Sequence, residues 1–145
     1  MTAPPSDPLI PLVFLALHTT SSQLQLALGC EGNYRYSSWY LGRDLGRYLH
    51  THLQEIMGGT SWQSLKGIAV HTGTGSQTGM RIGLTVGITL AQQLAIPLFA
   101  IAEATTALEL MAIAEQQYRQ GHRPSWQSAI ASLSSISSTN QGVVC

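Results

Sequence analysis

At 145 residues the chain is long enough to bury a single core without disulfides or a structural metal. Seven lysines and arginines balance seven aspartates and glutamates, and only 10% of residues are charged, so long-range attraction to nucleic acid is excluded as the main driving force. The two cysteines, Cys30 and Cys145, supply neither a disulfide framework nor a metal-ligand set, and are read as inert thiols of a reducing compartment.

The lead from Met1 to Pro11 holds four prolines and is expected to be disordered. It has no lysine or arginine ahead of the apolar run, so it lacks the positive start of a secretory signal. The run Leu12 to Leu17 is too short to span a bilayer, and a cytoplasmic protein is expected. That run is continuously apolar, as a strand buried on both faces would be. Leu24, Leu26 and Leu28 alternate with Gln23, Gln25 and Ala27, which is the period of a second strand. Gly29 to Asn33 reads as a hairpin turn, and Tyr34 to Tyr40 as a third, aromatic-rich strand.

From Asp44, taken as an N-cap, Leu45, Tyr48, Leu49, Leu53 and Ile56 keep helical spacing until Gly58-Gly59 stops them. His50 and His52 are two apart on this helix, point to different faces and are read as solvated side chains. Trp62 to Leu65 predicts a short helical turn, and Gly67 to His71 a fourth strand. The loop that follows, Gly73-Thr74-Gly75-Ser76-Gln77-Thr78-Gly79, enters a long helix. It matches neither the dinucleotide fingerprint nor the P-loop, so a tight structural turn and a phosphate cradle both remain open.

In the helix after the loop, Gly79, Gly83, Gly87, Ala91 and Ala95 recur every four residues, a ridge of small side chains that another backbone can approach. Ile82, Val86, Leu90 and Leu94 run beside it, and only a narrow polar strip remains. A helix apolar over most of its girth is covered on more than one side, either by this chain or by a partner. Pro97 opens the strand Leu98 to Ile101, and Glu103 to Tyr118 suits a third helix. Three meandering strands followed by parallel crossovers predict an α/β fold with a five-stranded mixed sheet and flanking helices. Beyond Gly121 the chain is serine-rich from Ser125 to Ser138.

No catalytic constellation is evident. Ser76 with His71 or His18 lacks a carboxylate to orient the imidazole, and a serine bonding its own loop backbone is the expected role. Glu103, Glu109 and Glu115 form no close acid/base pair on their helix. No metal site is expected.

The residues Gly73, Gly75, Ser76, Thr78, Gly79, Arg81, Ile82 and Gly83 match in register the Gly-Pro-Gly-Ser-Phe-Thr-Gly, hydrophobic, Arg-Ile-Gly hallmark of the TsaB proteins. The chain resembles that family from about Leu12 to about Tyr118. The family shares the actin, sugar-kinase and Hsp70 fold, a ribonuclease H-like lobe, and works in threonylcarbamoyladenosine modification of tRNA. Residues 12–120 would form its N-terminal lobe, 121–145 a tail, and the second lobe of the family would be absent. The sequence departs from the pattern at His18, where the superfamily has a metal-organising acid, and at Thr74 and Gln77, where the hallmark has proline and phenylalanine.

The resemblance implies a non-catalytic scaffold, without a cofactor, that pairs through its first two helices with a TsaD-like catalytic paralogue or with a second copy. A TsaE-like ATPase would be a further partner, and tRNA would be met only indirectly. The implied interface comprises Leu45, Leu49 and Leu53 of the first helix and Ile82, Gly83, Val86, Gly87 and Leu90 of the second. On this expectation Gly83→Leu or Gly87→Leu breaks association and spares the monomer. Two alternatives are a small phosphate- or nucleotide-binding enzyme using the Gly73–Gly79 loop with Arg81, and a diverged homodimer without a role in tRNA modification.

Overall fold

The structure, a computed structural model, describes residues 12–30 and 33–133. The expected lead at 1–11, the centre of the first hairpin turn and the chain beyond 133, with Cys145, lie outside the described residues. The strands are β1 (Phe14–His18), β2 (Gln23–Cys30), β3 (Asn33–Tyr40), β4 (Gly67–His71) and β5 (Leu98–Ile101). The helices are α1 (Leu45–Met57), α2 (Gln77–Leu94) and α3 (Ala107–Arg119), with 3-10 turns at Gly42–Asp44 and Trp62–Ser64. A further helical segment, α4, occupies 126–133.

One sheet orders the strands β3-β2-β1-β4-β5. β1, β2 and β3 are antiparallel neighbours, and β4 and β5 add in parallel to β1. This is the five-stranded mixed sheet with flanking helices that the sequence predicts. Parallel addition on one side follows from the helical crossovers α1 and α2, which are long enough to return the chain to the same end of the sheet.

The period of two divides the side chains between two cores. Leu15, Leu17, Leu24, Leu26, Leu28, Ile68 and Val70 face α1 and α2, where Leu45, Leu49, Leu53, Ile56, Leu84 and Ile88 close over them. Phe14, Ala16, Ala27, Ala69 and Phe99 face α3 and meet Ala107, Leu110, Met111 and Ala114. Phe14 is 5.9 Å from the ring of Phe99 and meets Tyr118 edge-on at 5.3 Å.

Helix ends are tied to neighbouring strands. Arg35 on β3 donates from one guanidinium nitrogen to the carbonyls of Ile56 and Met57, at 2.9 and 3.2 Å, satisfying acceptors that the end of α1 leaves free. Thr106 caps α3 by accepting from Glu109 N–H, and the Gln25 side chain on β2 accepts from Ala107 N–H at 3.0 Å. The start of α3 at Ala107 rather than Glu103 follows from this cap.

Asp44 stands at the N-cap of α1 as expected, although its side chain makes no capping bond and a 3-10 turn leads into the helix. Two expectations need correction. His52 is not solvated but stacks on Trp39, 4.1 Å between ring centres and 20° from parallel, while His50 is exposed. The ridge of small residues on α2 faces the chain's own sheet: a Cβ on Gly83 would overlap the Thr19 hydroxyl, and one on Gly87 would lie 3.0 Å from Val70 and 3.1 Å from Leu98. The ridge therefore answers the question of what covers that side of α2 from within the chain. In the serine-rich segment, Ala129 of α4 is buried and Trp126 and Leu133 pack against the core beneath α1 and α2.

Candidate functional site

The Gly73–Gly79 loop lies at the end of the sheet where β1 and β4 finish, and its geometry is set by the turn after β1. Ser76 N–H donates to the carbonyl of Thr20 at 2.7 Å, while the Ser76 hydroxyl accepts from Gly79 N–H at 2.9 Å as the N-cap of α2. Thr19 donates from its hydroxyl to the Gly79 carbonyl at 2.7 Å. Gly75 has φ +141°, and a Cβ there would overlap the carbonyl oxygen of Thr20; one on Gly79 would overlap that of Thr19. The loop glycines thus admit the chain's own β1–β2 turn. Of the two roles the sequence leaves open, close backbone approach inside the fold accounts for them.

A cavity of about 460 Å³ opens beside this contact, lined by Thr19, Thr20, Ser21, Ser22, Gly42, Arg43, Leu45, Ser76, Thr78, Gly79 and Ile82. Among the described residues that line it, Arg43 is the one charged side chain and none is a carboxylate. A donor set of hydroxyls and a guanidinium does not fit a hard divalent cation, which takes oxygen ligands with charge. Arg81, expected beside the loop, is not among the lining residues. Its Nε is buried and has no hydrogen-bond partner among the described residues.

Behind the loop, on the α3 side of the sheet, His18 and His71 end adjacent strands and stack with 4.2 Å between ring centres and 11° between planes. Both are about 95% buried, each being 5% exposed. His71 Nδ1 lies 2.6 Å from the Thr20 hydroxyl. Backbone bonds with Ala102 and Ala104 favour the charged form of His71. Burial lowers the pKa of His71 despite these backbone bonds. Burial and then the neighbouring His71 lower that of His18, with partial opposition from a backbone bond and from Glu109. His18 Nδ1 has no hydrogen-bond partner among the described residues.

Ser76 is therefore the loop cap that the sequence implies and is not paired with a histidine. The Thr20–His71 contact was not anticipated; its signal was a hydroxyl residue following a strand that ends level with a second histidine-terminated strand. Gly73 approaches the Ala102 carbonyl and the His71 ring, and Thr78 and Ile82 line the cavity. Among the described residues no cluster of three or more histidine, cysteine or acidic side chains could hold a metal.

The expected interface residues divide into two sets. Leu45, Leu49 and Leu53 are core, Gly83 meets Thr19 of the β1–β2 turn, and Gly87 meets Val70 and Leu98 of the sheet. Ile82, Val86 and Leu90 are only partly buried and stand on the outer side of α2. Val86 and Leu90 line a groove of about 300 Å³ between the helices, together with His50, Leu53, Gln54, Trp62, Thr85 and Thr89. Among the described residues no helix is long and apolar enough to cross a membrane.

Comparison with known proteins agrees with this geometry. The family model described as "TsaD: tRNA N6-adenosine threonylcarbamoyltransferase" matches residues 43–125. A search of curated proteins found no match. Two solved structures are similar at 26% identity and a TM-score of 0.61: YeaZ from Pseudomonas aeruginosa, over 74% of this chain and 49% of that one, and an uncharacterized protein with similarity to peptidase YeaZ from the same organism, over 76% and 49%. A Thermus thermophilus RuvC in complex with a Holliday junction substrate shares the fold alone, at 11% identity and a TM-score of 0.56 over 78% of this chain and 98% of that one. The chain spans about half the length of the YeaZ structures it matches. With the family model covering 83 of 145 residues, the chain belongs to the TsaD tRNA N6-adenosine threonylcarbamoyltransferase family, as a TsaB/YeaZ-like member with a ribonuclease H-like fold.

Proposed function

We propose that this chain is a non-catalytic partner in threonylcarbamoyladenosine modification of tRNA, acting in the cytoplasm through association with a TsaD-like catalytic paralogue. The observation that carries the reading is the α1–α2 groove, where Val86, Leu90 and Trp62 leave apolar surface only partly covered on a face whose other half is the chain's own core. Such a groove suits a helix of a partner laid along it. A TsaE-like ATPase would join through the same assembly, a second copy would use the groove when the paralogue is absent, and tRNA would be met by the paralogue. The loop glycines support this over an enzyme of the phosphate-binding class, because Gly75 and Gly79 are occupied by the chain's own β1–β2 turn.

The test is the mass in solution of the protein alone and mixed with the TsaD of the same organism. A mixed complex, lost in Leu90→Glu, is the expected outcome. A chain that keeps the same mass in the presence of that TsaD would overturn the reading.

A further inference from the structure

Thr20 joins the histidine pair to the glycine loop. Its hydroxyl lies 2.6 Å from His71 Nδ1, and its carbonyl accepts from Ser76 N–H at 2.7 Å. The residue before it, Thr19, donates to the Gly79 carbonyl at 2.7 Å. The turn after β1 is therefore fastened to the imidazole at the end of β4 on one side and to the loop on the other. It has no room to slide toward the loop, because the backbone oxygens of Thr20 and Thr19 already fill the places where Gly75 and Gly79 would carry a Cβ. A displacement of Thr20 must carry the loop along or break these bonds.

The surroundings of the pair offer little to balance two charges. His18 and His71 stack with 4.2 Å between ring centres, each 5% exposed. On β2, His18 stands opposite Gln25, a neutral side chain engaged with Ala107 N–H. On β5, His71 stands opposite Ile101. In the segment entering α3, the backbone of Ala102 and Ala104 favours a charged His71, while Glu103 is exposed. From α3, the charge of Glu109 favours a protonated His18, but that carboxylate is itself exposed and is bonded by Thr105 and Thr106. The backbone contact that favours a charged His18 is within its own residue and leaves Nδ1 without a hydrogen bond among the described residues. A charged imidazole donates from both nitrogens, so a proton on His18 would strand a buried N–H beside a second ring that also takes protons.

We propose that the His18–His71 pair is an acid-sensitive latch on the turn after β1 and the Gly73–Gly79 loop. Near neutral pH the stack holds Thr20 against His71, and Thr20 holds Ser76. The backbone around His71 accommodates one proton in the closed form. A second proton, on His18, is accommodated only when water reaches its Nδ1; the rings then part, Thr20 leaves His71, and the bonds that join the turn to Ser76 and Gly79 open. The strands stay paired, since their side chains under α1 and α2 are leucine, isoleucine and valine, whose packing does not respond to a proton. Thr19, Thr20, Ser76 and Gly79 form part of the wall of the cavity that Arg43 lines, so acid opens that cavity at the same step.

Hydrogen exchange of the full chain tests the latch, with rates corrected for the pH dependence of intrinsic exchange. Between about pH 7.5 and about pH 5.5, protection of the Ser76 and Gly79 amides should fall by up to about tenfold for each histidine, the limit for a group that titrates near 6.5 only in the open form. Protection of Leu26 in β2 and Leu53 in α1 should persist. His18→Phe keeps a ring in the stack but removes its proton, and its loop should stay protected at the lower pH. Unchanged loop protection in the parent chain, an equal fall in loop and core amides, or an undiminished fall in folded His18→Phe overturns the proposal. If His18→Phe does not fold, the parent chain decides: a fall confined to the loop supports the latch, and either of the first two outcomes overturns it.

Discussion

The imidazoles of His18 and His71 lie face to face, 4.2 Å apart and 11° from parallel, at the ends of the two parallel central strands. Two rings stacked this closely in a buried position are compatible with a neutral pair and oppose a doubly charged one. The contact joins β1 to β4 behind the glycine loop. Titration of the pair is thereby coupled to the stability of the sheet end that carries the loop.

Acid should destabilise the fold through this pair. Both folded-state pKa values lie below the ordinary 6.5, chiefly because of burial. The unfolded chain therefore binds more protons as pH falls below about 6.5, and stability present above that value is lost toward and through the lowered folded values. The slope cannot exceed about 1.4 kcal/mol per pH unit for each histidine. Urea midpoints measured between pH 7.5 and 5 should fall with pH, and His18→Leu should flatten that fall. An equal pH dependence in the variant would remove His18 as the cause.

Thr20→Val should weaken the same region at neutral pH. The substitution keeps the branched shape but removes the hydroxyl that hydrogen-bonds His71 Nδ1, leaving a buried ring nitrogen without that partner. The cost expected for such a loss is roughly 1–3 kcal/mol. An unchanged denaturant midpoint would show that the bond contributes nothing to stability.

Gly79→Ala and Gly83→Ala should destabilise the monomer itself, since the added methyl group would collide with the Thr19 carbonyl oxygen or hydroxyl. Overpacking of this kind costs about 1–3 kcal/mol. Gly59→Ala is the control, because nothing lies within 4 Å of a Cβ there. Thermal melts should separate the first two variants from the third. Equal melting temperatures for all three would mean that the β1–β2 turn yields without cost.

These residues also mark what the sequence could and could not convey. The alternation of Leu24, Leu26 and Leu28 and the unbroken run before His18 are local signals of burial, and both strands follow from them. The four-residue recurrence of glycines on α2 says that some backbone comes close, but spacing carries no information about whose. Thr19, which fills that ridge at Gly79 and Gly83, lies 60 residues before Gly79 along the chain. For the same reason the Trp39–His52 stack, the Thr20–His71 bond and the place of Arg43 in the cavity wall were hidden. Each depends on strand register and crossover geometry. The loop motif was legible as a motif, and its use by the chain's own turn became evident only in three dimensions.

The packing of α4 gives another prediction. Ala129 is 4% exposed within the core that includes Leu28 and Leu53, so Ala129→Glu would place a carboxylate in apolar surroundings without a partner. Destabilisation by about 2 kcal/mol or more is expected, whereas Ser128→Glu, at an exposed position, should be near neutral. Chemical denaturation of the pair decides the matter. Equal midpoints would mean that α4 undocks at little cost.

If the proposed partner binds the α1–α2 groove, association should respond to charge on one side of α2 and not on the other. Val86 and Leu90 are partly covered and line the groove, so Val86→Glu or Leu90→Glu can place its carboxylate at the solvent edge and leave the melting temperature within a few degrees of the parent. The same carboxylate would meet any apolar partner surface without a counter-ion, and truncating or charging a central contact commonly costs 2 kcal/mol or more, about thirtyfold in affinity. Leu84→Glu differs because Leu84 is fully buried beneath the helix and should unfold the chain. Titration with the TsaD-like paralogue proposed as partner, with circular dichroism of each variant as the check on folding, should show binding lost in the first two while their secondary structure persists. Undiminished affinity in folded Val86→Glu and Leu90→Glu would exclude this groove as the contact surface and move the search to the other faces of the lobe.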